Sequence, residues 1–146
     1  MDEHSTLRFD IDSTSTDSVL GVAIWLDGQC VFEKSHVDQF YSYQHVFPDD
    51  EATHVLQIVM SNKTADDTEI DDDGNIVKDA MLTVRAYVDD ENIDYILHDH
   101  AVYTHDFNGS QPEIQDTFHS LMGCNGTLSI EFTTPLFLWV LSKTKH

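Results

Sequence analysis

The sequence predicts an all-β fold, a jelly-roll or immunoglobulin-like β-sandwich with one short helix, and three observations predict it. Apolar and polar residues alternate at period two over most of the chain. Turn signals such as Asp27-Gly28 and Asp89-Asp90 separate about eight such strings. Helix signals are few. With 146 residues the chain fits one domain, 1–146, large enough for a single core.

Taken in order, Leu7, Phe9 and Ile11 point one way and Arg8, Asp10 and Asp12 the other. Val19 to Leu26 is a mostly apolar strand, and Asp27-Gly28 turns it into a second, from Cys30 to Lys34. Val37 to Phe47 reads as a long strand that the Pro48-Asp49-Asp50-Glu51 stretch breaks, and His54 to Met60 resumes it. An acidic loop runs from about residue 61 to 79. Met81 to Val88 then places Leu82, Val84, Ala86 and Val88 on one face. Ile93 to Leu97 and Ala101 to Tyr103 read as further short strands. Ser110, Pro112, Ile114, Phe118, Leu121 and Gly123 predict a helix near residues 112–121, with a cap, an early proline and a glycine stop. Leu128, Ile130 and Phe132 face inward on the strand from Thr127 to Thr133. Pro135 to Leu141 fits a last helical turn or a closing strand.

Charge narrows the function classes. The chain carries 27 acidic and 7 basic residues, a net charge of −20 with His neutral. Phosphate backbones and anionic membranes are bound through clustered Lys and Arg, so nucleic acid and membrane surfaces are not expected partners. Such a surface favours solubility, tolerance of salt and attraction to cations or basic partners. Met1 to Ser5 has no basic segment leading into an apolar one, so no secretory signal is expected there. Cys30 and Cys124 are expected as reduced, small core residues rather than a bridge.

The densest chemistry lies at residues 69–79. Glu69, Asp71, Asp72, Asp73 and Asp79, with Asn75, surround Gly74. Glu69, Asp71, Asp73, Asn75 and Asp79 are candidate calcium ligands, because calcium takes about six to eight oxygens. An EF-hand is excluded: Ala80 stands where its twelfth ligand belongs, and the flanks read as strands. A non-helical calcium loop and a solvated hairpin turn at Asp73-Gly74 both remain open.

Other constellations are weaker. His98, His100, His105 and Asp106 could approach a metal, but no Cys or Glu completes the set, and they read as surface histidines. No nucleophile elbow, phosphate loop or distinct carboxylate pair is present, so the chain is not expected to be an enzyme.

The strand His54 to Met60, the loop with Asn62, and Asp79-Ala80-Met81-Leu82-Thr83-Val84 resemble calcium-dependent xylan-binding carbohydrate-binding modules. The resemblance covers roughly residues 19–94. It implies a jelly-roll whose loop calcium coordinates sugar hydroxyls, with Asn62 and Asp79 as ligand-loop positions. A second string, Ala101 to Asp116 with Met122 to Thr127, Phe132 to Pro135 and Leu138-Trp139, together with Met60 to Thr64 and Asp73 to Val77, resembles over roughly residues 54–141 small proteins of tailed phages of marine cyanobacteria and other marine bacteria. That resemblance implies a virion component, such as a capsid decoration, neck or fibre protein, made in the host cytoplasm and bound to virion proteins or oligomeric. Phe40, Tyr41, Tyr43, Phe137 and Trp139 are the candidate docking residues for that role. The leading expectation is a non-enzymatic virion protein; the alternative is a calcium-dependent glycan-binding module.

Overall fold

Alternation becomes sheet from the first strand. In the computed structural model, which describes residues 4–15, 17–64 and 67–143, β1 (His4–Ser13) buries Leu7, Phe9 and Ile11. β2 (Gly21–Leu26) and β3 (Gln29–Lys34) form the expected hairpin. Asp27 and Gly28 supply its turn at φ 52° and 83°, the left-handed values that a tight primed turn requires. β4 (Tyr41–Pro48) is followed by β5 (Ala52–Ser61), which buries Leu56, Ile58 and Met60. Inside the acidic stretch, β6 (Thr68–Ile70) and β7 (Ile76–Asp79) make a separate small hairpin. β8 (Leu82–Val88) buries Leu82, Val84, Ala86 and Val88 as expected.

The second half holds β9 (Glu91–Asn92), α1 (Asp94–His100), β10 (Val102–His105), β11 (Ile114–Thr117), β12 (Leu121–Met122), β13 (Gly126–Thr134) and α2 (Leu136–Lys143). One sheet runs β12-β8-β1-β4, with β9 also paired to β8; the other runs β11-β10-β13-β5-β2-β3. All pairings are antiparallel. The inward faces of both sheets share one apolar core, from Phe9, Ile11 and Val84 to Ile24, Ile58 and Ile130. Burial of this alternating set is the main stabilising term.

Three elements depart from expectation. The long strand expected from Val37 to Phe47 is shorter, because β4 begins at Tyr41, and it runs through Pro48, expected to break it. Residues 112–121 are not helical: Ile114–Thr117 pairs with β10, from His105↔Ile114 to Val102↔Thr117. Only Phe118 of the expected apolar stripe is buried, whereas Ile114 and Leu121 are exposed. A helix needs a contiguous apolar face to bury, and here the free edge of β10 supplies backbone partners instead. The strand expected from Ile93 to Leu97 is instead the start of α1, Asp94–His100. Ile93, Ile96 and Leu97 recur at helical spacing and are all buried. Asp94 fixes the start by accepting from the Ala86 amide at 2.8 Å and the Arg85 guanidinium at 3.0 Å. The segment from Pro135 resolves as α2, so the chain has two short helices, neither at 112–121.

Along the open side of the sandwich, β4 faces β3. Phe32 packs against Tyr41 and Tyr43 at ring distances of 6.2 and 5.6 Å, and the Lys34 ammonium lies 5.0 Å from the Tyr41 ring centre. Further in, His45 packs at a tilt against Phe47 at 4.6 Å and shares a 2.9 Å hydrogen bond with the Tyr43 hydroxyl. Burial, and then the neighbouring His54, hold the His45 pKa below 6.5, against a smaller pull upward from Asp27. The unfolded chain therefore binds the proton first, and stability rises with pH between the depressed folded value and about 6.5. We expect His45→Gln to flatten that part of a Tm-against-pH curve. An unchanged slope would show that His45 is not the group responsible.

Candidate functional site

One end of the sandwich gathers the candidate functional side chains. There the chain leaves β1, β5 and β10 and enters β8 and β13, as the pairings Ser13↔Leu82, Gly21↔Ser61 and His105↔Gly126 require. Thr14, just after β1, ties the β6–β7 hairpin and the entry to β8 to this end: its hydroxyl accepts from the Met81 amide at 2.9 Å and donates to the Asp79 carbonyl at 3.3 Å.

Lys63 is the centre of this end. Its ammonium is withdrawn from solvent, with the side chain 2% exposed, and donates to Asp79 Oδ1 at 2.6 Å and to the Gly123 carbonyl at 2.5 Å. The same Asp79 oxygen accepts from the Thr68 hydroxyl at 2.7 Å. Asn125 then clamps the Lys63 backbone. Its Oδ1 accepts from the Lys63 amide and its Nδ2 donates to the Lys63 carbonyl, each at 2.9 Å. The Asn125 amide in turn donates to Asn108 Oδ1 at 2.8 Å. An unbroken hydrogen-bonded path thus runs from the base of β6 and β7 to the loop after β10.

That loop displays an aromatic ring. The Gly109 amide donates to the Asp106 carbonyl at 3.1 Å, closing a turn whose central residues Phe107 and Asn108 have φ of 54° and 60°. Asp106 Oδ1 also accepts from the Gly109 amide, at 2.8 Å. Asn suits a left-handed position; a bulky aromatic does not. Phe107 is 41% exposed, and its ring meets His105 edge to face at 4.7 Å. Below it, the Tyr103 hydroxyl donates to the Cys124 carbonyl and accepts from the Cys124 amide at 2.9 Å. Burial pushes the Tyr103 phenol far above its usual range, so it remains a donor. Burial likewise raises the Cys124 thiol, which keeps it protonated and unreactive at neutral pH.

The expected site residues are dispersed. Asp71 sits at the tip of the β6–β7 hairpin, where its Oδ1 accepts from the Asp73 and Asn75 amides at 3.0 and 2.9 Å. That is an Asx-type turn, with Glu69, Asp73 and Asn75 exposed around it. Asp79, at the opposite end of the hairpin, is held by Lys63 and Thr68. Asn62 turns away from it, its Nδ2 donating to the Ser35 carbonyl at 3.3 Å. Among the described residues no group of three or more His, Cys, Asp or Glu is placed to hold a metal ion. The histidines also separate. His98 is on α1 facing His119 at 4.9 Å, while His105 is buried and contacts Asp116 at 3.3 Å, which lowers the Asp116 pKa.

Of the candidate docking residues, Phe40 and Phe137 are exposed. Tyr41 and Tyr43 are half-buried against Phe32, bridging the sheets. Trp139 is a core residue, 7% exposed and packed on Phe132 at 5.8 Å. A helix through 136–143 turns it inward, so it offers no docking surface. Both cysteines are free thiols, but Cys30 is exposed on the edge strand β3 rather than in the core.

Phe107 and Lys63 escaped the sequence analysis. The signal for Phe107 lay in Asp106-Phe107-Asn108-Gly109, where Asn-Gly marks the turn but places its centre one residue late. Lys63 carried no local signal, since its partners are distant in sequence.

Known proteins bear on the fold. No protein-family model matches the chain, and no curated protein matches it in sequence. Among solved structures the chain is similar to vCBM60, a calcium-dependent carbohydrate-binding module described in connection with a circular permutation linking two families of such modules. The two share 12% identity at a TM-score of 0.52, over 86% of this chain and 89% of that one. A structure of vCBM60 in complex with galactobiose aligns at a TM-score of 0.49 with 12% identity, over 86% of this chain and 96% of that one. The β-sandwich is therefore of the kind seen in a carbohydrate-binding module. Neither similarity concerns tailed-phage proteins.

Among the described residues, the positions that the resemblance and the acidic stretch offered do not come together as a calcium site. A calcium ion would need several free oxygens at about 2.3–2.6 Å. Asp79 already directs Oδ1 at an ammonium, and Asp71 spends Oδ1 on backbone amides. A divalent cation beside the Lys63 ammonium would also meet like-charge repulsion in a water-poor setting.

Proposed function

We propose that this protein is a non-catalytic glycan-binding module that contacts an uncharged saccharide through the loop end carrying Phe107, Asn108 and Asn125. The observation that carries this reading is the exposed Phe107 ring held at positive φ. A strained backbone costs about 1–3 kcal/mol, and full burial of the ring does not offset it. Strain of that kind, on a loop anchored by hydrogen bonds to a rigid sandwich, fits a displayed contact residue. An apolar ring face complements the C–H face of a pyranose, and nearby amides suit hydroxyl groups. The net charge of −20 disfavours sulfated and uronic-acid polymers. The fold shared with a carbohydrate-binding module supports the same class without identifying the sugar.

Affinity electrophoresis through neutral xylans and galactans, with a sulfated polysaccharide as control, tests the reading. Retention by a neutral polymer is expected, with Phe107→Ala weakening it at least about tenfold, the scale of an aromatic hot spot. Equal retention of wild type and variant, or no retention by any neutral polymer, would overturn it.

A further inference from the structure

The cation that organises this end of the sandwich is part of the chain. Lysine is almost never fully buried unless paired, and this chain spends one of only 7 basic residues on a side chain 2% exposed. The Lys63 ammonium draws together Asp79 at the end of β7 and the Gly123 carbonyl before β13. Through Asp79 it also engages Thr68 at the start of β6. Gathering oxygens from separate segments around one positive charge is the work a structural metal does. Asn125 fixes the lysine from behind by holding both its backbone amide and its carbonyl.

We propose that the Lys63 ammonium is a built-in structural cation, standing where the sequence resemblance places calcium, so that this end assembles without a divalent metal. The inference is independent of the glycan reading, because its consequences appear in the melting of the protein alone. A tethered ammonium cannot dissociate, so the loop end is insensitive to chelators. Its one charge matches the single carboxylate it meets.

Calorimetric melting of the full chain is the test, in chelator, in millimolar calcium, and in magnesium at the same ionic strength. Both ions screen an acidic surface, so a small common rise in Tm is expected, with none specific to calcium. A bound calcium would instead add several degrees over magnesium, because ligand binding to the folded state raises Tm. That result would overturn the proposal. Lys63→Met keeps the stem, removes the charge and leaves Asp79 unpaired; its Tm should fall by several degrees. Adding Asp79→Asn should restore part of the loss, because replacing both members of a buried pair costs less than orphaning one. Lys63→Met melting with the wild type would also overturn the proposal. If Lys63→Met does not fold, the calcium-against-magnesium comparison on the wild type decides alone.

Discussion

Replacing Phe118 by alanine is expected to cost about 3–5 kcal/mol, the range for deleting a fully buried phenylalanine and leaving its cavity. Phe118 is completely buried and, among the described residues, ranks first in volume of the fully buried side chains. It is also the one residue of the 114–121 segment that pins the chain between β11 and β12 to the sandwich, because Ile114 and Leu121 lie exposed to either side. A domain of ordinary stability has about 5–15 kcal/mol in total, so Phe118→Ala should lower Tm by about 10 °C. Ile114→Ala and Leu121→Ala should each cost well under about 1 kcal/mol. The contrast is the test. An amphipathic helix over 112–121 would bury all three residues on one face, and the three variants would then lose comparable stability in denaturant titrations.

Phe118 also shows where the sequence misled. Spacing of Ile114, Phe118 and Leu121 matches a helical face, but so does any short run with three apolar residues. What decided the outcome was the unpaired edge of β10, a partner that local pattern does not reveal. The opposite error falls at Ile93, Ile96 and Leu97, read as strand although their spacing fits a helical face. For β1 and β8 the alternation is reliable for a physical reason. A one-residue slip in register would send Leu7, Phe9 and Ile11 or Leu82, Val84 and Ala86 into solvent, so alternation fixes the face.

The site was less legible than the fold. Density of acidic residues drew attention to the β6–β7 hairpin, yet hairpin geometry sends Asp71 and Asp79 to opposite ends of it. The residues that assemble the loop end meet only in three dimensions: Lys63 with Asp79 and Gly123, Asn125 with Lys63 and Asn108. Each pair is joined by antiparallel crossovers whose register no local window contains. Trp139 failed as a docking candidate for a related reason, since its place in the core depends on how α2 folds back on β13.

Gly126→Ala should be the most damaging change to this end, costing about 2–3 kcal/mol by overpacking. Gly126 opens β13 opposite His105 on β10 and Met60 on β5. A methyl group there would sit 2.8 Å from His105 Cβ and would press still closer on the Thr104 carbonyl oxygen. Backbone cannot rotate aside as a side chain can, so β10 itself must move. Gly21 supplies the control. Its added methyl would meet the Ser61 Oγ at 2.6 Å and the Asn62 Nδ2 at 2.9 Å, both ends of side chains rather than backbone, so Gly21→Ala should cost less. Displacing Thr104 and His105 has a second consequence, because the turn that displays Phe107 begins one residue later and His105 supports the ring at 4.7 Å. Glycan retention by Gly126→Ala, measured well below its Tm, should therefore fall along with its stability. Gly21→Ala should retain the polysaccharide as the wild type does. Full retention by Gly126→Ala despite a lowered Tm would separate β10 from the binding surface and direct the search for the saccharide contact away from Phe107.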